Sequence, residues 1–314
     1  QDAQRSCDAL AKIAGVAVES VLPFSTGVIG ELLPMDKLAA GLAPALADLS
    51  ANHWLRAAEG IMTTDTRPKL ASRKMVLDGK PVVITGISKG AGMIKPNMAT
   101  MLGFVATDAQ VSQKDLQVLL QQVADKSFNR ITIDGDTSTN DACMLAATGC
   151  SGVALMPSSS AWEVFAAAIE AVLVELAQAI VRDGEGATKF ISVVISGGNS
   201  SEECLRAAYA IAESPLVKTA LFASDPNWGR ILAAIGRSGI ADLDTARIHI
   251  FLNDVQIVAN GGRAPSYTEA QGVAAMAPEE IVIRVELQRG AVSETVWTCD
   301  FSHDYVTINA EYRT

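Results

Sequence analysis

The sequence predicts a mixed α/β (α+β) fold in which sheets are covered by helices, and three observations support this prediction. Hydrophobic residues recur at helical spacing in several segments, and short runs rich in Val and Ile lie between them. Helices and strands alternate through the middle of the chain, whereas the last third is richer in strands. The 314 residues, 49% of them hydrophobic, suffice for one large or two ordinary domains.

Periodicity places the individual elements along the chain. The predicted helices cover 3–17, 34–48, 112–126, 159–182, 201–213 and 228–237. The predicted strands cover 80–85, 99–106, 131–133, 190–195, 248–252, 281–287 and 295–301. Ser112 is expected to be an N-cap, with Asp115 three residues later, and Pro34 suits the first turn of a helix. A lobe boundary is expected near 125–160, although no shift in composition marks it.

Charge and cysteine content argue against several classes of partner. A formal net charge of −10 disfavours nucleic-acid binding, which depends on clustered Lys and Arg. The five cysteines show no C-x-x-C spacing and the three histidines no metal-ligand spacing, so we expect no disulfide framework and no metal. This pattern suits a protein of the reducing cytoplasm.

The longest apolar stretch, 161–180, predicts a soluble helix rather than a membrane span. Glu163, Glu170, Glu175 and Gln178 recur in it at helical spacing, which makes one face polar. We therefore expect no membrane partner.

Four segments are dense in small and polar residues although apolar runs flank them. They are FSTGVIG at 24–30, KGAGMIKPNMAT at 89–100, DGDTSTND at 134–141 and DGEGATK at 183–189. Ordinary turns need less of this chemistry. The second segment lacks the Gly-x-x-x-x-Gly-Lys-Ser/Thr spacing of a phosphate-binding loop, so another function is expected for it.

The end of that second segment suits an N-terminal nucleophile. Thr100 stands at the head of a predicted strand, directly behind the small residue Ala99. Its hydroxyl can attack the preceding carbonyl in an N-to-O acyl shift, and cleavage then frees an α-amine beside that hydroxyl. This amine, with a reference pKa of about 8, can act as the base for its own side chain. A threonine that merely starts a strand is the alternative interpretation.

Over essentially its whole length the chain resembles the ornithine acetyltransferase family, the bifunctional glutamate N-acetyltransferases of arginine biosynthesis. The matching motifs, in family order, are STGVIGELLPMDKL at 25–38, KGAGMIKPNMATML at 89–102, DGDTSTND at 134–141, DGEGATKF at 183–190, SPLVKTALFASDPNWGRILAAIG at 214–236 and DYVTINAEYRT at 304–314. In that family a sizeable N-terminal segment precedes the position of Gln1. The resemblance implies a layered sandwich of N-terminal-nucleophile type with two lobes and the site between them.

The resemblance also implies roles for individual residues. Thr100 matches the nucleophile and Ala99-Thr100 the self-cleavage site, so that 1–99 would be the C-terminal part of an α chain and 100–314 a β chain. Thr26 and Gly27 match the oxyanion hole, as one hydroxyl and one backbone N–H. The substrate-binding positions are Thr63, Lys89, Thr100, Glu185, Asn309 and Thr314.

Chemistry agrees with two of these assignments, and simpler alternatives exist for others. A cation such as Lys89 suits the α-carboxylate of an amino acid, and Glu185 suits the amine of ornithine. The alternative for Lys89 is a solvated surface lysine, that for Glu185 is a turn carboxylate, and that for the STG segment is an ordinary turn. Thr64 or Thr66 is close enough in sequence to be confused with Thr63. We expect the 134–141 loop and the DPNWGR motif to support the site, and Cys143 to be a structural thiol.

The activity implied by the resemblance is ping-pong acetyl transfer from N-acetylornithine to glutamate through an acetylated Thr100, without a cofactor. Some family members also accept acetyl-CoA, and the family assembles as α2β2 from one precursor. An N-terminal-nucleophile aminopeptidase or amidase is one alternative, because it would release the acyl group to water. An inactive relative is the other, and the presence of all the matching site residues argues against it.

Overall fold

The structure of the protein, a computed structural model, describes residues 1–95 and 101–312 and confirms the mixed α/β class. The helices are α1 (Asp2–Ala14), α2 (Met35–Ala47), α3 (Trp54–Gly60), α4 (Gln113–Asp125), α5 (Trp162–Arg182), α6 (Ser201–Ala212), α7 (Pro215–Phe222), α8 (Trp228–Gly236), α9 (Glu269–Met276) and α10 (His303–Glu311). The strands are β1 (Lys69–Leu77), β2 (Lys80–Lys89), β3 (Leu102–Thr107), β4 (Gln110–Val111), β5 (Ala142–Ala147), β6 (Ala154–Leu155), β7 (Phe190–Gly198), β8 (His249–Leu252), β9 (Val255–Ala259), β10 (Gly262–Arg263), β11 (Glu280–Glu286) and β12 (Val292–Cys299).

Two sheets form the framework of the described residues. The first has the order β1-β2-β3-β5; β1, β2 and β3 run antiparallel in succession, and β3 pairs in parallel with β5. The second has the order β10-β9-β8-β11-β7-β12, in which β7 is parallel to β11 and antiparallel to β12. Strands β4 and β6 form a separate short pair. The end of β2 and the start of β3 therefore lie side by side, which matters for the site.

Helix α5 covers the first sheet, contacting β1 and β2, and also reaches β12 of the second sheet. Its length and composition would allow it to cross a membrane, yet Phe165, Ile169 and Leu173 on it are fully buried inside the protein. Burial of such side chains contributes roughly 1.5–3 kcal/mol each. The stretch 161–180 is thus a helix of the core. A second core lies between the larger sheet and helices that include α6 and α8.

Every predicted helix is present, with ends that differ by a few residues. Ser112 caps α4 by accepting the backbone N–H of Asp115, as predicted. Pro34 is the N-cap residue of α2 rather than a residue of its first turn. The predicted strand at 131–133 is wrong, because only Ile131 makes an isolated bridge, to Trp297.

The cysteines at 7, 143, 150, 204 and 299 are free thiols. Burial raises the pKa of Cys143 to about 12, so its thiol stays protonated at neutral pH. This agrees with the structural role expected for it.

Candidate functional site

A cavity of about 340 Å³ opens where β2 ends and β3 begins. Six of the residues that the resemblance assigns to the site line it together, namely Thr26, Gly27, Thr63, Lys89, Glu185 and Asn309. They come from segments far apart in sequence. Met101 and Leu102, which follow Thr100 in the chain, also line the cavity. Ala99, Thr100 and Thr314 lie outside the described residues, so their assignments stay predictions.

The turn that carries Thr26 and Gly27 is exposed to solvent, and its contacts with the other described residues include one hydrogen bond and one aromatic contact. The side-chain amide of Asn140 donates a hydrogen bond to the Ser25 carbonyl oxygen at 3.3 Å. The Phe24 ring meets the Phe104 ring of β3 edge to face, with centroids 5.3 Å apart. Apart from its two chain neighbours, no atom of residues 1–95 and 101–312 lies within 4 Å of where a Cβ of Gly27 would stand, so these residues leave the backbone there open to a ligand.

Glu185 lies in a tight loop between α5 and β7, and only 7% of the residue is exposed. Its backbone N–H donates to the Ala91 carbonyl oxygen at 2.8 Å, and its Oε2 accepts from the Asn309 side-chain amide at 2.8 Å. A Cβ at Gly92 would overlap the Glu185 carboxylate, so a larger residue at this position would displace that side chain. Two predicted binding residues, Glu185 and Asn309, are thus in direct contact.

Lys89 ends β2 and is 9% exposed. Burial lowers the pKa of Lys89, and the nearby charge of Lys69 acts in the same direction. The carboxylates of Asp65, Asp141 and Glu185 oppose this shift without cancelling it. The cavity therefore contains a buried cation, which the carboxylate of a ligand would stabilise.

The 134–141 loop supports the cavity, as predicted, by fixing the segment after Lys89. Asp134 accepts the backbone N–H groups of Met93 at 2.6 Å and Ile94 at 2.9 Å. Met93 has φ 55°, a left-handed conformation that is unusual for a residue with a side chain. These two hydrogen bonds stabilise that conformation. Burial nevertheless raises the pKa of Asp134.

Asp141, the last residue of that loop, was not singled out by sequence reasoning. It lines the cavity, and its two carboxylate oxygens are inaccessible to solvent. Among the described residues neither oxygen has a hydrogen-bond partner of normal geometry, although the Met101 N–H is close enough to favour the charged form. Burial raises the pKa of Asp141 to about 7. In sequence it resembles an ordinary turn carboxylate, which is why it was missed.

The DPNWGR motif has a different role from the cavity-lining motifs. Asn227 accepts the Arg230 backbone N–H at 3.1 Å and caps α8, while Asp225 accepts from the Asn227 side-chain amide. Neither residue lines the cavity. Within 1–95 and 101–312, no group of three or more His, Cys, Asp or Glu side chains is placed to hold a metal ion.

The arrangement suits a small zwitterionic ligand. Lys89 offers a positive charge, Glu185 and Asp141 offer carboxyl groups, and hydroxyl and amide groups of Thr63 and Asn309 complete the polar lining. Such convergent polar groups in a concave site determine the orientation of a ligand.

Comparisons with known proteins identify the family of the chain. The ArgJ family model matches residues 1–314. The chain is 60% identical over 314 residues to the arginine biosynthesis bifunctional protein ArgJ of Pseudomonas syringae pv. tomato, covering 99% of this chain and 78% of that protein. It is 59% identical over 315 residues to the protein of the same name from Pseudomonas fluorescens, with the same coverage.

A solved structure is also similar, the crystal structure of the arginine biosynthesis bifunctional protein ArgJ from Bacillus halodurans. The two share 38% identity with a TM-score of 0.64, covering 67% of this chain and 98% of that chain. These matches confirm the resemblance found in the sequence, and the chain belongs to the ArgJ family.

Proposed function

We propose that the protein transfers the acetyl group of N-acetylornithine to glutamate, producing ornithine and N-acetylglutamate. The observation that carries the proposal is the cavity itself, which gathers six of the predicted site residues beside the strand that follows Thr100. The names of the relatives, arginine biosynthesis bifunctional proteins, support the same pathway.

The nucleophile is Thr100, made available when the precursor cuts itself between Ala99 and Thr100. The motif KGAGMIKPNMATML supports this step.

In the first half-reaction the Thr100 hydroxyl attacks the acetyl carbonyl carbon, and its proton passes to the freed α-amine of the same residue. The Thr26 hydroxyl and the Gly27 N–H donate hydrogen bonds to the oxyanion. The C–N bond then breaks, the proton passes to the departing nitrogen, and ornithine leaves. Thr100 now carries the acetyl group as an ester.

In the second half-reaction the neutral amine of glutamate attacks that ester. The Thr100 oxygen leaves and regains its proton, and N-acetylglutamate is released. Lys89 pairs with the α-carboxylate that both amino acids share, while Glu185, Asn309 and Thr63 orient the remaining polar groups.

Three further features belong to this proposal. Acetyl-CoA serves as a second acetyl donor, which agrees with the word bifunctional in the names of the relatives. The two chains of the cut precursor assemble as α2β2. The enzyme works in the cytoplasm without a cofactor.

The test is to purify the protein, resolve it on a denaturing gel and sequence the N-terminus of each band. We expect two chains, the second beginning at Thr100, and an uncut chain for Thr100→Ala. With N-acetylornithine and glutamate the product should be N-acetylglutamate. Free acetate as the main product would establish the hydrolase alternative, and an uncut wild-type chain with full activity would overturn the mechanism.

A further inference from the structure

A buried network of three charged side chains lies behind the cavity. The Lys69 ammonium lies 2.5 Å from Oδ1 of Asp65 and 2.6 Å from Oδ2 of Asp183. All three side chains are at most 2% exposed. Lys69 begins β1, whereas Asp183 follows α5, so one ammonium group joins segments that are 114 residues apart.

Each carboxylate of this network also accepts backbone N–H groups of the segments that line the cavity. Asp65 accepts from Gly90 at 2.7 Å and from Thr63 at 3.1 Å. Asp183 accepts the Thr66 N–H at 3.1 Å and the Thr66 hydroxyl. Both carboxylates are therefore shared between Lys69 and the backbone.

Three predicted binding residues are attached to this network through very short stretches of chain. Thr63 donates to Asp65 directly, and Lys89 is the neighbour of Gly90. Glu185 is two residues beyond Asp183. A displacement of either carboxylate would thus move the cavity groups that face a substrate.

The charge on Lys69 also affects Lys89 directly. Asp65 is the carboxylate that acts most strongly on the pKa of Lys89, and it tends to raise it, whereas Lys69 tends to lower it. Lys69 and Arg67, whose Nε lies 3.8 Å from Oδ1 of Asp183, together balance the charges of Asp65 and Asp183, so Lys89 is not required as their counter-ion. The Lys89 ammonium therefore stays available for a ligand in the cavity.

Buried ion networks stabilise proteins little compared with apolar packing of the same volume, so specificity of conformation is their best-supported benefit. We propose that Lys69 is a positioning residue, which joins Asp65 to Asp183 and thereby holds Thr63, Lys89 and Glu185 at the spacing that the substrate requires. This inference rests on the proposed function for the identity of the substrate. It adds to it a residue that touches no substrate.

The test compares Lys69→Met with Arg289→Met as the matched control. Arg289 is one-fifth exposed and binds Glu203 and the carbonyl oxygens of residues 241 and 242, none of which lines the cavity. Both variants lose a half-buried or buried cation, so both are expected to unfold at lower urea concentration. Only a positioning role makes their kinetics differ.

For Lys69→Met we expect KM for N-acetylornithine and for glutamate to rise about tenfold or more, with kcat changed by less than about threefold. Arg289→Met should keep the wild-type KM. In hydrogen exchange without substrate, the amides of Thr63, Thr66 and Gly90 should exchange faster in Lys69→Met than in the wild type. The control should leave these three amides unchanged.

Wild-type KM together with wild-type exchange at these amides in Lys69→Met would overturn the inference. The exchange measurement needs no catalysis, so it decides the inference even if wild-type protein makes no N-acetylglutamate, a result that would refute only the proposed function. If Lys69→Met does not fold, Asp65→Asn replaces it. That variant loses one acceptor oxygen, so the same rise in KM and faster exchange at Thr63 or Gly90 are expected, and their absence contradicts the role.

Discussion

The two sides of the cavity are built in different ways. The binding side carries Lys89 and Glu185, which are less than one-tenth exposed and adjoin a buried network of charges. The turn proposed to bind the oxyanion carries Thr26 and Gly27, which are exposed; among the described residues, one side-chain amide and one aromatic contact hold this turn. The first side is fixed by many directional bonds, whereas the second depends on few.

This difference separates two functions of the cavity. Charged groups on a rigid, buried side select the carboxylate and amine of a substrate before any reaction occurs. Donors on the turn matter when negative charge develops on the acetyl oxygen. We therefore expect variants of the turn to change kcat and variants of the binding side to change KM.

The largest effect is expected for Thr26→Ala. This change removes one of the two proposed oxyanion donors, and the loss of such a donor costs roughly 3 kcal/mol or about a hundredfold in rate. The loss should fall on kcat with little change in KM, because the hydrogen bond forms fully only in the transition state. Single-turnover acetylation by N-acetylornithine measures it. Thr26→Ser keeps the hydroxyl and should retain most of the rate, whereas wild-type acetylation by Thr26→Ala would make Thr26 an ordinary turn residue.

On the binding side, Lys89→Met should raise KM for glutamate by roughly tenfold to a hundredfold, the usual worth of a hydrogen bond to a charged group. The wild-type KM should also depend on pH. Burial lowers the pKa of Lys89, so its charge is lost as pH rises, below the pH at which an exposed lysine titrates. KM should therefore rise on the alkaline side.

Lys89→Arg is the control for this titration, since a guanidinium remains charged over the whole range. The Thr100 α-amine and the amine of glutamate also titrate in this range, but they do so in both proteins, so the ratio of the wild-type KM to the KM of Lys89→Arg should rise with pH. A ratio that stays constant with pH would show that Lys89 does not bind the carboxylate.

A smaller effect is expected for Asn140→Ala, which removes the hydrogen bond to the Ser25 carbonyl oxygen and the one that Asn140 accepts from the Thr139 hydroxyl. One such bond contributes about 1 kcal/mol, so kcat should fall by about fivefold, less than in Thr26→Ala. KM should remain near that of the wild type. A change in KM without a change in kcat would contradict the separation of the two sides.

The smallest expected effect concerns stability at Asp141. Burial raises the pKa of this carboxyl from 3.8 to about 7, so the folded state resists its ionisation. A raised pKa of an acid means that stability present at low pH is lost as pH rises through the folded pKa. Asp141→Asn should therefore be more stable than the wild type at pH 8, by roughly 1 kcal/mol; the gain is this modest because the residue as a whole is only half-buried, although its two carboxylate oxygens are covered.

Urea unfolding at pH 8 and pH 5 measures this gain, which should shrink at the lower pH. Asp125→Asn, at an exposed position of α4, should show no such dependence. A loss of stability at both pH values would mean that the Asp141 carboxylate makes a stabilising contact instead.

Much of the fold followed from sequence patterns, and the failures have physical causes. Long amphipathic segments such as α4 and α5 were predicted nearly to the residue. Strand β1 was missed because it is a sheet edge whose middle carries two consecutive exposed charged residues, Arg73 and Lys74, so its alternation is weak. In the segment 131–133, apolar and polar residues alternate as they do in a strand, and all three residues are buried. The structure nevertheless places the segment in a loop with one isolated β-bridge.

The candidate functional site was likewise predicted in part from the sequence. Motifs that resemble a known family identified Lys89, Glu185 and Asn309, and the structure brings these three together. The Lys69 network was not predicted, because it depends on the pair of Lys69 with Asp183, which is 114 positions away in the sequence. In sequence, Asp65 is one polar residue in a polar turn.

The acetyl-enzyme itself tests the central claim most directly. Purified protein is mixed with N-acetylornithine alone, quenched in acid, and each chain is weighed and fragmented by mass spectrometry. We predict one added acetyl group on the chain that begins at Thr100, located on that residue, and its loss with formation of N-acetylglutamate when glutamate is added. Steady acetyl transfer with no acetyl group on Thr100 would contradict the account.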